Sequence, residues 1–280
     1  MEILKNTIEK LLSLFERHKL QIPSLKKIVI GLGYTGVEVA RKEQNENYST
    51  VGLCYTLTSI INKPECTKLE NAGNLTQKST KELLYWCLEN PSIKKIVGIA
   101  TLNAVSQYFI QKFRPYFELQ EDLFKFLRLN NRSKVLFIGY LRPLVEKAMK
   151  FSKNIIVVED HLANRQLMNG IKFSRDINDL NNGDKNVDFL ICTGTAILNE
   201  TIDRIIDEFK NKVNKFIILG PTVSFIPDTL FEAGISIVGG LNVNDNEKVL
   251  KVIQEGGGTK DFKKYSMKYY LINKLNHGER

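Results

Sequence analysis

Three glycines, Gly31, Gly33 and Gly36, stand at the spacing of the G-x-G-x-x-G motif that binds dinucleotides. That motif needs a preceding strand, a helix that begins at the third glycine, and an acidic residue about 20 positions further on. Here residues 35–40 alternate between two faces with the period of a strand, and the later segment VGLCYT contains no acid. We therefore predict that Gly31 and Gly33 shape a β-hairpin or bulge and do not hold a dinucleotide.

Gly139 and Glu159 suit a nucleotide site better than the three-glycine motif does. Gly139 ends the apolar run VLFIG, and Glu159 ends the run IIVVE 20 positions later, which is the separation expected of an acid that binds a ribose. A single glycine, followed by Tyr140, does not let the backbone approach a pyrophosphate as closely as three glycines do. The pattern indicates an S-adenosylmethionine-type or modified nucleotide site, and a surface acid after a buried strand explains it equally well.

Polar loops follow four predicted parallel strands: GYLRP, EDHLANR, TGTAILNET and GPTVSFIPD. Ligands of open α/β sheets bind outside the carboxyl ends of the strands, and hydroxyls with free backbone N–H groups at a helix start favour an anion or carboxylate. Capping by Asn199 and a turn at Gly194 are the structural alternative. We expect the first, third and fourth loops to converge on one crevice. The candidate ligand-binding residues of these loops are Gly139, Tyr140, Glu159, Thr193, Gly194, Thr195, Asn199, Gly220, Pro221 and Thr222.

The segment EGGGT adds three further candidates for ligand binding, Glu255, Gly256 and Gly257. One glycine is enough to end the helix predicted before this segment. Because three glycines exceed that requirement, an anion-binding nest or a mobile flap is an alternative to a simple helix end.

Ligands for a transition metal are dispersed along the chain. There are four cysteines and three histidines, without a C-x-x-C pair or a close His–His or His–Cys spacing, whereas structural zinc sites often use close-spaced pairs. We predict no tightly bound resident metal. A metal ion would arrive with the ligand, or bind weakly through carboxylates such as Glu159 and Glu255. The dispersed residues are Cys54, Cys66, Cys87, Cys192, His18, His161 and His277.

The elements that position these residues change in order along the chain. Residues 27–57 contain strand-like runs, and two helical patterns follow, an order typical of an α+β unit. From about residue 134, short apolar runs alternate with helical patterns, which predicts a parallel sheet covered on both faces. We predict an α/β fold with an α+β N-terminal domain, divided into domains at residues 1–115 and 116–280.

Length and composition exclude several classes of protein. The chain has 280 residues, with 43% hydrophobic and 25% charged residues, the balance of a soluble globular protein. No apolar stretch is long enough to cross a membrane, and the amphipathic N-terminal segment lacks the features of a signal peptide, so we predict a cytoplasmic protein. The net charge is +9, but the basic residues are scattered, which argues against nucleic acid as a partner.

Five sequence blocks together resemble a known family: VGIATLNAVS, FIGYLRPLVEK, DFLICTGTAILNETIDRII, ILGPTVSFIPDTLFEAGISIVGGLNVND and VIQEGGGT. The family is the putative heavy-metal chelation family of largely uncharacterised prokaryotic proteins, and the resemblance covers roughly residues 27–260. It implies an enolase-N-terminal-like domain followed by a Rossmann-like domain, with the family's suspected active site in the cleft between them. Its metal-chelation label is an inference about the family, not an established activity.

The resemblance also bears on two individual residues. Asn103 follows an apolar segment, and we expect it to begin a helical turn that faces the domain boundary. A buried asparagine must make hydrogen bonds with its amide group, either by capping the helix or by contacting a ligand in the cleft. The resemblance favours the contact with a ligand. Cys54 stands where the family usually has a small residue, so we assign it no metal.

These observations leave three functions open. The first is binding of a small anionic or metal-chelating ligand between the domains, with catalysis left open because no nucleophile–base pair or carboxylate dyad is visible. The second is an S-adenosylmethionine- or nucleotide-dependent enzyme with Glu159 on the ribose. The third is a non-catalytic metal-handling protein. The sequence does not specify an oligomeric state.

Overall fold

The computed structural model describes residues 2–43, 46–61, 69–160 and 170–273. The α-helices in these ranges are α1 (Glu2–Arg17), α2 (Thr58–Ile61), α3 (Thr80–Tyr85), α4 (Ile93–Phe113), α5 (Leu123–Phe126), α6 (Arg142–Ala148), α7 (Asn182–Lys185), α8 (Thr195–Leu198), α9 (Ile202–Phe209), α10 (Asp228–Glu232), α11 (Asn246–Gln254) and α12 (Thr259–Phe262). The strands are β1 (Ser24–Ile30), β2 (Tyr34–Glu43), β3 (Glu46–Tyr55), β4 (Phe117–Glu118), β5 (Lys134–Ile138), β6 (Asn154–Val158), β7 (Lys172–Ser174), β8 (Val187–Thr193), β9 (Val213–Leu219), β10 (Ile237–Val243) and β11 (Ser266–Ile272).

The first sheet is an antiparallel meander in the order β1-β2-β3. The GLG segment forms the turn between β1 and β2, where the Gly31 N–H donates to the Tyr34 carbonyl at 3.0 Å. No helix follows Gly36, because β2 continues through it as far as Glu43. The prediction of a hairpin instead of a dinucleotide loop is therefore confirmed.

The second sheet has eight strands in the order β4-β11-β10-β9-β8-β5-β6-β7. The six strands from β10 to β7 are parallel to their neighbours, and their order is the doubly wound order of Rossmann-like domains. The predicted α/β fold with an α+β N-terminal part is thus confirmed. Two strands that the sequence analysis did not predict, β4 and β11, extend this sheet in antiparallel fashion.

Helix α4 lies between the two sheets. Every residue from Lys95 to Phe109 is buried, as expected of a helix that is apolar on all sides. On one side it packs closely on β3: a Cβ atom at Gly52 would lie 2.1 Å from the Ala104 nitrogen and 2.2 Å from the Ala100 carbonyl oxygen. Only a glycine allows the helix and strand backbones to approach this far.

Helix α1 also connects the two parts of the chain. Its Thr7 hydroxyl shares a hydrogen bond with the Thr229 hydroxyl of α10, and its Lys10 forms ion pairs with Asp228 and Glu232. The N-terminal helix therefore packs on the parallel-sheet part of the protein. The predicted division between residues 115 and 116 stays a prediction.

Within the described residues, no helix combines the length and the apolar character needed to cross a membrane.

The close approach at Gly52 generates the first prediction. Replacing Gly52 with Ala forces backbone shifts in β3 or α4, and such overpacking typically costs about 1–3 kcal/mol of unfolding free energy, occasionally more. Urea unfolding followed by circular dichroism measures this loss. The matched control is Gly258→Ala, because nothing lies within 4 Å of a Cβ at Gly258. Equal stabilities of the two variants would contradict the packing described here.

Candidate functional site

The strand order reverses direction between β5 and β8, where ligands of doubly wound sheets bind. The loops that follow these two strands touch: a Cβ at Gly139 would lie 2.6 Å from the Thr193 Cγ2 atom. Gly139 also has a φ of +89°, which a larger residue would adopt only with strain. Its N–H donates to the Val158 carbonyl at the end of β6. Gly139 is therefore a fixed wall of the crevice.

Two threonine hydroxyls lie at the end of β8. The Oγ1 atoms of Thr193 and Thr195 are 3.2 Å apart, and the Thr195 N–H lies 3.4 Å from the Thr193 Oγ1 atom. Both residues are half-buried, whereas Gly194 between them is buried and donates its N–H to the Leu219 carbonyl at 2.7 Å. The two hydroxyls can therefore offer both donors and acceptors to a small polar molecule.

The loop after β9 lies beside the loop after β8. A Cβ at Gly220 would lie 3.6 Å from the Gly194 nitrogen. Pro221 is half-buried and begins a short 3₁₀ turn. Thr222 is buried, and its hydroxyl accepts a hydrogen bond from the Tyr55 N–H at 3.1 Å. The third and fourth loops thus meet, but Thr222 is bonded to the first sheet.

Glu159 lies beside the β5 loop, as a ribose-binding acid would. Its Oε2 atom accepts a hydrogen bond from the Tyr140 N–H at 2.8 Å, and its own N–H donates to the Ser174 carbonyl. The Tyr140 N–H is one of the loop donors that a pyrophosphate would need, and it is occupied by the carboxylate. Residues 161–165 of the second predicted loop, including His161, lie outside the described residues.

The expectation that Asn103 begins a helical turn was wrong, because the apolar segment before it is part of the same 21-residue helix, α4. Asn103 is completely buried and caps nothing. Its Nδ2 atom donates to the carbonyl oxygens of Leu53, Pro221 and Thr222 at 2.7, 3.2 and 3.1 Å. Its Oδ1 atom has no hydrogen-bond partner among the described residues. Asn103 thus links β3 to the loop after β9.

The expectation that Asn199 begins a helix was also wrong. Asn199 is exposed and ends the short helix α8, and α9 begins only after Thr201. The chain turns between these helices at Glu200, which has a φ of +63°. The Glu200 carboxylate forms an ion pair with Lys95 of α4, a residue without exposed surface. The residue after Asn199 therefore links the turn between α8 and α9 to α4.

The EGGGT segment packs against the β1–β2 turn. Gly256 and Gly257 donate their N–H groups to the Ile253 and Val252 carbonyls and so end α11. Glu255 is exposed. The nearest neighbours of these glycines include Leu32 and Gly33 in the β1–β2 turn. The two glycine-rich motifs therefore pack on each other, and neither Gly139 nor Thr193 is among the nearest neighbours of Gly256 and Gly257.

The described cysteines do not fit a resident metal. Cys54, Cys87 and Cys192 are buried, and burial raises the pKa of all three thiols above the ordinary range. They are therefore neutral at pH 7, whereas a metal binds the thiolate. Within the described residues, no group of three or more His, Cys, Asp or Glu side chains could hold an ion. Cys66, His161 and His277 lie outside these residues.

The sequence analysis did not identify the side chains that join the two sheets. Asn103, Gln107 and Gln111 follow each other at four-residue intervals on α4. Gln107 donates to the Ser224 carbonyl and the Tyr269 hydroxyl at 2.6 and 2.8 Å, and Gln111 donates to the Asn242 Oδ1 atom at 2.7 Å. This amide row shows in the sequence as polar residues recurring within an apolar helix.

Comparisons with known proteins agree on the architecture. Two family models, both described as "Putative heavy-metal chelation", match residues 17–106 and 122–272. An uncharacterised protein of Methanocaldococcus jannaschii is 29% identical over 179 residues, which are 64% of this chain and 66% of the relative, just under two-thirds of its length.

Two crystal structures of proteins with unknown function from the DUF364 family resemble the whole chain. The protein from Pyrococcus horikoshii has a TM-score of 0.70 at 23% identity, and the match covers 97% of this chain and 100% of the other. The protein from Desulfitobacterium hafniense has a TM-score of 0.69 at 15% identity, over 97% and 98% of the two chains. At these identities the two structures show the shared fold.

The contacts of Asn103 generate the second prediction. Asn103→Asp replaces an amide donor by a carboxylate that faces three carbonyl oxygens, which should cost about 1–3 kcal/mol of unfolding free energy at pH 8. Burial and the carbonyls should raise the pKa of the new Asp in the folded state above its unfolded value of about 3.9. The loss relative to the unsubstituted protein should therefore shrink as the pH falls from 8 to 5.

Urea unfolding at both pH values measures this dependence. Gln120→Glu makes the same chemical change at an exposed position and should leave the stability nearly unchanged. A loss for Asn103→Asp that is the same at both pH values would contradict the predicted role of the amide donor.

Proposed function

We propose that this chain, which belongs to the family described as putative heavy-metal chelation, binds a small anionic or metal-chelating ligand in the crevice beyond β5 and β8. A metal ion in this proposal is cargo that arrives with the ligand, since the described side chains do not fit a resident ion. The composition favours a cytoplasmic setting for this binding.

One observation carries the proposal: two neighbouring loops at the switch point meet through a glycine and a threonine. A Cβ at Gly139, after β5, would lie 2.6 Å from the Thr193 Cγ2 atom at the end of β8. Glycine lets the two loops approach each other this closely, and the half-buried hydroxyls of Thr193 and Thr195 supply polar contacts for a ligand. A pocket with a few convergent polar groups at a switch point is the usual location of a small-molecule site.

The side chains that surround the crevice suit a compact polar ligand. The Thr195 hydroxyl can donate to a carboxylate oxygen of the ligand while it accepts from the Thr193 hydroxyl. Arg142, at the start of α6, is exposed and forms an ion pair with Glu146 on the next turn. The two threonine hydroxyls therefore carry most of the recognition that we propose.

A second candidate is a nucleoside-type ligand such as S-adenosylmethionine. The position of Glu159 beside Gly139 and Tyr140 supports it, because the acid that binds a ribose occupies the end of the second strand. The occupied Tyr140 N–H argues against a pyrophosphate, and S-adenosylmethionine carries none. This candidate therefore differs from the first in needing the Glu159 carboxylate.

Removal of one hydroxyl tests the first candidate. In calorimetric titrations with citrate, alone and as its zinc complex, we expect Thr195→Val to weaken binding by up to about tenfold, the cost of one lost hydrogen bond. Thr259→Val removes a hydroxyl at an exposed position and should leave the affinity unchanged. Equal affinities of both variants, or no heat with either form of citrate up to about 1 mM, would speak against this ligand class.

The same calorimeter separates the second candidate from the first. Heat with S-adenosylmethionine or NAD that disappears in Glu159→Ala, while folding is retained, would support a nucleoside-type ligand. No heat with either molecule up to about 1 mM would exclude that candidate and leave the first one intact.

The metal content of the purified protein is a separate prediction. We expect far less than one equivalent of transition metal per chain after purification without chelator and dialysis, because a structural zinc site usually needs about four Cys or His ligands. Elemental analysis measures this content. About one equivalent of zinc, nickel or iron retained through dialysis would show that the fold assembles a site that we did not identify.

A further inference from the structure

An open polar cavity, of about 590 Å³, lies between the first sheet and the turn from β10 into α11. None of its lining residues belongs to the crevice at Gly139 and Thr193. One of them, Gln111, lies eight residues beyond Asn103 on α4, roughly 12 Å along the helix axis. The lining residues are Lys26, Glu38, Ser49, Gln111, Asn242, Val243, Asn244, Asp245, Asn246 and Glu247.

Glu38 is the most deeply buried acid of this cavity, with only 4% of its surface exposed. It accepts hydrogen bonds from the Lys26 Nζ atom at 2.9 Å and from the Asn246 Nδ2 atom at 3.3 Å, and both end on Oε1. Among the described residues, no donor reaches its Oε2 atom. A carboxylate oxygen that lines a polar cavity and receives no donor from the protein is available to accept a hydrogen bond from a ligand.

The surroundings of Glu38 are held in place by the first sheet. Lys26 is the extra residue of a β-bulge, since Leu25 pairs with Val39 and Lys27 pairs with Glu38. Bulges re-aim side chains, and here the bulged residue supplies the ammonium group that binds Glu38. The Asn246 Nδ2 atom also donates to the Ser49 Oγ atom at 2.9 Å. The carboxylate is therefore fixed before any ligand enters.

The charges of the lining favour a cationic ligand. Three carboxylates, Glu38, Asp245 and Glu247, line the cavity, and the lining holds one ammonium group, Lys26, whose side chain is 56% exposed. The Lys248 ammonium group, outside the lining, pairs with Asp245 at 2.7 Å, so the acids still outnumber the nearby cations. Within the described residues, these acids form no group that could hold a metal ion. The polar walls and the volume suit an extended molecule with its own hydrogen-bonding groups.

We propose that this cavity binds a small organic amine whose ammonium group donates to the Glu38 Oε2 atom. The amides of Asn242, Asn244 and Gln111 surround the rest of the molecule, and Glu247 at the start of α11 adds a second negative charge. This site does not depend on the ligand proposed for the crevice at Gly139 and Thr193.

Calorimetry on the full chain tests the proposal with ethylenediamine, putrescine and spermidine. At least one amine should bind, whereas butane-1,4-diol, the neutral analogue of putrescine, and Mg²⁺ should not. Glu38→Gln should weaken amine binding about 10- to 100-fold, the value of a hydrogen bond between charged groups. Glu255→Gln, an exposed acid at the other end of α11, is the matched control and should bind as the unsubstituted protein does.

Three results would overturn the proposal: no heat with any amine up to about 10 mM, binding of the diol or Mg²⁺ in place of the amines, or unchanged amine affinity in Glu38→Gln. If circular dichroism shows that Glu38→Gln does not fold, the proposal is tested with Glu247→Lys, a substitution at an exposed position. It should weaken amine binding by like-charge repulsion, and an unchanged affinity would overturn the proposal.

Discussion

The relative position of the two sheets depends on one buried helix, α4, whose polar side chains bond to both sides. Its backbone lies directly on Gly52 of β3, and on the other side its amide row donates to the loop after β9 and to β10. A buried amide that loses its acceptors costs more than an exposed one, because water cannot replace the missing bonds. The amide row therefore fixes the position of the two sheets relative to each other. It thereby also fixes the residues that line the crevice and the polar cavity near Glu38.

The same contacts connect the first sheet to the crevice beyond β5 and β8. The Thr222 hydroxyl accepts the Tyr55 N–H, and the Lys95–Glu200 ion pair holds the chain that follows α8. A ligand at Thr195 would thus contact a loop whose neighbouring residues are bonded to the first sheet and to α4. This explains why the crevice is a property of the whole chain and not of the parallel sheet alone.

The two proposed sites differ in chemistry because different strands of the first sheet lie beside them. Near the crevice, the Tyr55 N–H at the end of β3 bonds to Thr222, and the side chains that we assign to the crevice are mainly the threonine hydroxyls of Thr193 and Thr195. Near the polar cavity, the bulge in β1 and the middle of β2 contribute Lys26 and Glu38. Helix α4 separates the two regions, so an anionic and a cationic ligand could occupy them at the same time.

The sequence by itself determined most of the elements and their order, but not β4 and β11, because hydrophobic periodicity and turn residues act over a few neighbouring positions. It separated the hairpin at Gly31 from a dinucleotide loop, and it identified the alternating strands that form the parallel sheet. Only the tertiary structure decided the partners of polar side chains. Asn103 was assigned to a helix end because a local pattern cannot show which distant carbonyl oxygens accept its hydrogen bonds. In the sequence, Glu38 is one residue of a predicted strand. Only the structure shows that Asn246, 208 positions away, donates a hydrogen bond to it.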